Sequence, residues 1–137
     1  MRNLNPYLML GGKSREALDF YTQCFQGEVT ELMTYADAKL DVPEDFQQAI
    51  IHAAFKAEGI FFMVSDGSPG EVMETGNAMT LSVHHDSEEE QAVLFEALAE
   101  GGTITMPLSD TFWNARFGEL TDRYGIRWMF NCQKSQP

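Results

Sequence analysis

Basic residues are scarce: nine Lys and Arg stand against 21 Asp and Glu, a formal net charge of −12 at pH 7. A phosphate backbone is bound through clustered Lys and Arg that release its counterions, so a nucleic-acid partner is excluded. Charge of this sign favours solubility and would attract cationic small molecules. Cysteine is scarce as well. Cys24 and Cys132 form no CxxC pair, and they read as packing residues with free thiols in a reducing cytoplasm. No apolar run approaches a membrane span, and Met1-Arg-Asn-Leu-Asn-Pro6 has no apolar signal-peptide core, so no membrane partner is expected. Nothing reads as a P-loop, a nucleophile elbow or a Ser-His-Asp spacing, which leaves covalent and phosphoryl-transfer chemistry without support.

What the chain does have is a normal core and a repeat. Its 137 residues are 44% hydrophobic, enough for one domain of ordinary size. Tyr7 to Leu10 reads as a strand ended by Gly11-Gly12, and Ser14 to Phe25 as a helix with Ala17, Leu18, Tyr21 and Phe25 on one face. Val29 to Tyr35, Ala49 to Ala57 and Ile60 to Ser65 follow as strands, with Asp37 to Gln47 a polar loop and Glu58-Gly59 a hairpin turn.

Met79 to Val83 then begins the order again. Ser87-Glu-Glu-Glu90 supplies a capping box for a helix running to about Glu100, Thr103 to Met106 is a strand, and a hairpin turns at Tyr124-Gly125. A shift of 75 lays Ala17 on Ala92, Phe20 on Phe95 and Gly27 on Gly102, and a shift of 66 lays Phe62 on Trp128 and Met63 on Met129. Strand, helix and three strands, twice, describe an α+β chain of two modules, about 1–70 and 75–137, within one domain. The strands at 60–64 and 127–130 are apolar on both faces. One face can pack on a helix; the other suits the concave interior of a paired half-barrel sheet, the usual form of a small-molecule site.

Aromatic rings and cations gather in Asp110–Asn131, which holds both tryptophans and every arginine after Arg15. Trp113, Phe117 and Trp128 are candidate ligand-binding residues, and Arg116 among them could clamp an anionic group or stack on indole. The alternative for each ring is ordinary core packing, and for Arg116 a surface ion pair. His52 shares a strand face with Ala54 and Lys56, and is the best candidate for general acid-base catalysis or ligand contact. A structural histidine fits the same pattern. His84 and His85 are adjacent in a strand and so point to opposite faces, which does not suit chelation of one ion. Asp66 and Asp122 stand at loop starts, where a carboxylate commonly caps a turn.

Ala17-Leu-Asp-Phe-Tyr21, Met63-Val-Ser-Asp66, Asp110-Thr-Phe-Trp113, Thr121-Asp-Arg-Tyr-Gly125 and Trp128-Met-Phe-Asn131 together resemble the vicinal oxygen chelate superfamily (glyoxalase/bleomycin resistance/dioxygenase), in its PhnB-like branch. The resemblance spans essentially the full chain. It implies paired βαβββ modules with helices outside, and a homodimer. Metal enzymes of the superfamily hold a divalent ion through His or Glu on the first and fourth strands of each module, and laying that pattern here reaches Pro6, Met63, Ala78 and Met129. None is a ligand for a hard cation, so no metal and no cofactor are expected. Members of the branch are also labelled demethylubiquinone methyltransferases, but no Gly-rich strand-to-helix loop supports that chemistry here. The expectation is a metal-independent protein binding a small organic molecule between its modules. An enzyme using His52 or an atypical metal site, and an antibiotic-sequestering dimer, are the alternatives.

Overall fold

Apolar residues at helical spacing produce α1 (Ser14–Phe25) at the place the sequence predicts. In the computed structural model, which describes residues 1–134, this helix belongs to the first of two compact units, Met1–Glu74, and the second begins at Thr75.

The first unit adds β1 (Tyr7–Met9), β2 (Glu28–Thr34), β3 (Ile50–Ala57) and β4 (Ile60–Ser65) in the sheet order β1-β4-β3-β2. β1 runs parallel to β4 and the other neighbours are antiparallel. Ala17, Leu18 and Tyr21 are buried beneath α1. Tyr21 meets Phe62 edge-on at 5.4 Å, and Phe25 meets Phe55 at 6.0 Å. Phe55 and Phe62 are register partners, so this row faces the helix, and the alternating residues face away from it.

The second unit has β5 (Leu81–His85), α2 (Glu88–Ala99), β6 (Thr103–Asp110), β7 (Ala115–Thr121) and β8 (Arg127–Gln133), in the order β5-β8-β7-β6. Connectivity and sheet order are the same as in the first unit, which makes each unit α+β. Ser87 Oγ accepts from Glu90 N at 3.2 Å, the N-cap bond the sequence predicts, while the Glu90 carboxylate lies 3.2 Å from His85 Nδ1. Phe95 packs edge-on against Phe130 at 5.2 Å, which sets the helix face of this sheet.

Three strands differ from expectation by more than a residue, and the one expected at 127–130 runs from Arg127 to Gln133. The strand expected at 79–83 runs from Leu81 to His85, and that expected at 103–106 continues to Asp110. Register then fixes the repeat: Tyr7 stands opposite Met63 and Ser82 opposite Met129.

Candidate functional site

The helix-free face of the first sheet brings three polar side chains together. Tyr7 on β1 and His52 on β3 meet across β4, with Tyr7 Oη 2.7 Å from His52 Nδ1. On the other side of the imidazole, His52 Nε2 lies 3.4 Å from the Glu31 carboxylate on β2. A carboxylate only accepts, so Nε2 carries the proton toward Glu31, and Nδ1 accepts from the Tyr7 hydroxyl. Burial, and then the nearby Tyr35, push the Tyr7 pKa up, which keeps the phenol protonated as donor.

Why these three meet is a matter of register. Tyr7, Met63, Ala54 and Glu31 form one row across all four strands. Ala54 is buried and its side chain is a single methyl, so it forms a low floor beside the taller Tyr7 and His52. Glu31 reaches this face because the ladder of β2 shifts between Val29 and Glu31; without that irregularity it would share the helix-facing side with Val29. Met9, Met33, Met63 and Phe61 surround the cluster on the same face, and Met33 is the register partner of His52.

In the second unit the helix-free face carries Phe117, Asn131 and Met129, with Phe117 opposite Asn131. Trp113, in the turn before β7, donates from Nε1 to Asn131 Oδ1 at 3.1 Å and meets Phe117 edge-on at 5.6 Å. Phe112 lies edge-on to Trp113 at 4.9 Å and is 97% exposed. His84 is on this face too, 3.2 Å from Ser82 Oγ, whereas His85 is buried on the helix side and stacked on Phe130.

The structure therefore puts His52 on one helix-free face and Trp113 with Phe117 on the other. It does not bring Arg116 and Trp128 to them. Arg116 is the register partner of Cys132 on the helix side, and its guanidinium lies 3.3 Å from Glu88 at the start of α2. Trp128 is only 2% exposed, and its Nε1 donates to Asp122 Oδ2 at 2.9 Å. Both belong to the packed side because alternation fixes their face once the β7–β8 register is set. Tyr7 and Glu31 were missed by sequence reasoning, since no local motif joins three strands so far apart in the chain.

Asp66 and Asp122 hold backbone. Asp66 accepts from Gly12 N and Ser14 N at one oxygen and from Ile50 N at the other, each at 2.9 Å. Asp122 accepts from Tyr124 N and Ile126 N besides the Trp128 indole.

This twice-used βαβββ frame is shared by structures titled a glyoxalase-related enzyme from Fulvimarina pelagi and a glyoxalase/bleomycin resistance protein/dioxygenase from Nocardioides, 18% and 21% identical to the chain, a likeness of fold alone. Within it, residues 2–130 match the model of the family described as 3-demethylubiquinone-9 3-methyltransferase, and the chain belongs to that family, the PhnB-like branch. Protein PA1353 from Pseudomonas aeruginosa is 37% identical, with a TM-score of 0.86 over 98% of this chain and 100% of that one. A structure titled putative 3-demethylubiquinone-9 3-methyltransferase, PhnB protein, from Bacillus cereus is 33% identical with a TM-score of 0.81, covering 96% of this chain and 99% of its own. Protein YjdN of Escherichia coli is 32% identical across 98% of this chain and 97% of its own length.

A divalent ion of the kind the superfamily's metal enzymes use does not suit the donors at the corresponding places. Met63 N bonds Pro6 O at 3.1 Å and Tyr7 stands opposite the Met63 thioether; in the second unit Ser82 stands opposite Met129, and Ala78 lies before the strand. A thioether is a poor ligand for a hard cation, and the neutral phenol and hydroxyl beside it bring no charge to hold one. Among the described residues, no three His, Cys, Asp or Glu side chains come together as a metal site.

Proposed function

We propose that this protein binds small organic molecules against the helix-free sheet face of each unit, with His52 as a contact in the first and Trp113 and Phe117 as contacts in the second. One observation carries the reading. On these faces Tyr7, Met9, Met33, Phe61 and Trp113 stay between 41% and 46% exposed. Large apolar side chains left open beside a few polar groups mark a ligand surface more often than a bare one. Cys24 and Cys132 are not joined in a disulfide, which suits a reducing cytoplasm, and a homodimer is part of the same proposal.

Methyl transfer, which the family description names, draws little support from the topology. α1 joins β1 to β2, and these lie at opposite edges of the sheet, so the Gly11-Gly12 turn opens no parallel βαβ crossover of the nucleotide-binding type.

Native mass spectrometry of untagged protein, purified without chelators, tests the reading. A dimer retaining an organic adduct is the expected result. One divalent ion retained per subunit, lost together with activity on chelation, would overturn it. At the residue level, Trp113→Ala should weaken the recovered ligand by about 1–3 kcal/mol through lost ring contact. Arg116→Ala should leave its affinity unchanged, because that guanidinium is engaged with Glu88.

A further inference from the structure

We infer that Tyr7, His52 and Glu31 form a proton-accepting relay for a flat aromatic ligand with an ionisable hydroxyl, a phenol, which the protein binds as its phenolate. The inference rests on the ligand-binding reading above and gives it a ligand class.

The surroundings specify the ligand. Met9, Met33, Met63 and Phe61 share the helix-free face with the relay. Thioethers favour the faces and edges of aromatic rings, so this floor suits a flat conjugated plate over a flexible alkyl chain. The charge on the face decides what the plate carries. Glu31 is an anion, and Lys56, on the same face, stands opposite Glu28 in register. The whole chain is at −12, so a ligand arriving as an anion is opposed. A neutral acid that gives up its proton inside the site meets no such barrier, since the charge of protein and ligand together does not change.

The geometry provides the path. Tyr7 Oη is the outward end of the relay: Tyr7 is 43% exposed, and its hydroxyl is hydrogen-bonded inward to His52 Nδ1 at 2.7 Å. The ligand O–H bond breaks and its proton joins Tyr7 Oη; the original Tyr7 proton passes to His52 Nδ1. No electron changes owner. The products are a phenolate accepting from the Tyr7 hydroxyl and an imidazolium whose Nε2–H faces Glu31 at 3.4 Å. A carboxylate behind a histidine stabilises the imidazolium, the logic of an acid-histidine pair in hydrolases, here with tyrosine in the outer place. Tyr7 is the group that touches the ligand; His52 takes the proton, and Glu31 is a positioning residue.

The probe is 4-nitrophenol, whose phenolate is yellow and whose phenol is colourless. It is titrated into the full chain at a pH near its own pKa, and the ionised fraction of bound dye, counted by equilibrium dialysis, is compared with that of free dye. The expected result is a larger ionised fraction for bound dye than for free dye. His52→Gln and Tyr7→Phe should each bind the dye and lower its ratio of ionised to neutral form about tenfold or more, as loss of a charge-assisted hydrogen bond requires. Glu31→Gln should give a smaller loss. Tyr7→Phe keeps the ring and removes only Oη, and circular dichroism confirms the fold of each variant. Dye bound but no more ionised than free dye overturns the relay and leaves the ligand-binding reading standing. A raised ionised fraction that survives in both His52→Gln and Tyr7→Phe overturns it too, and dye that does not bind at all overturns the phenol class.

Discussion

Asp66 ties the entry to α1 to the start of β3 through three backbone N–H groups, and it is almost fully buried. Asp66→Ala would leave those donors without an acceptor away from water, a loss of about 3 kcal/mol that chemical denaturation can read. The thiols give a second expectation. Burial, and then the Glu88 carboxylate, push the Cys132 pKa up, and its side chain is buried. A thiol reagent should therefore modify Cys24 in the native protein and Cys132 only on unfolding; equal rates would contradict the packing. At this scale the sequence reveals residue types and capping roles well. It does not reveal facing: Arg116 and Trp128 stand in the same aromatic segment as Trp113 and Phe117, and which of the adjacent Arg116 and Phe117 turns toward the helix depends on a register that residue types do not state.

Gly27 and Gly102, matched by the repeat, share a physical reason. A Cβ on Gly27 would lie 2.6 Å from Lys56 O, and one on Gly102 would lie 2.3 Å from Thr121 O. Each stands just before a strand, pressed against the backbone of the hairpin beside it. Gly102→Ala should cost about 1–3 kcal/mol, since main-chain atoms and not a flexible side chain must move, and thermal unfolding measures it. At the end of β2, Asp37 Oδ2 accepts from Thr34 N at 3.0 Å, and this bond, with one from the Thr34 hydroxyl, holds the Asp37 pKa down. A depressed carboxylate stabilises above its unfolded pKa, and that contribution is lost as pH falls through its folded value. The hydrogen-exchange protection of Thr34 N, taken relative to the intrinsic amide rate at each pH, should drop on acidification, and in Asp37→Asn this pH dependence should vanish. Elements with clear periodicity, such as α1, were legible to the residue. β6 was not, because Pro107 breaks the strand pattern; it is tolerated since β6 is an edge strand with ladder shifts around that point. The relay was illegible for a related reason: the irregularity that turns Glu31 toward His52 leaves no mark in residue type.

Over the whole molecule, charge is lopsided, with a sequence pI of about 4.4. Solubility should be lowest near that pH and recover above it, which light scattering across a pH series would show. No helix among the described residues is long and apolar enough to cross a membrane. The doubling of one frame also lets its two copies differ where they are open: the place Tyr7 holds opposite Met63 is held by Ser82 opposite Met129. Tyr7 itself sits on a strand of three residues, at the sheet edge, laddered to β4 alone. Edges of this kind fray first. Were β1 to lift away, the hydroxyl would leave the imidazole and the circuit to Glu31 would open, so the proposed proton path at this face requires the margin of the sheet to be zipped shut. A ligand that bridges Tyr7 to the methionine floor would fasten that margin and so switch on the path that ionises it.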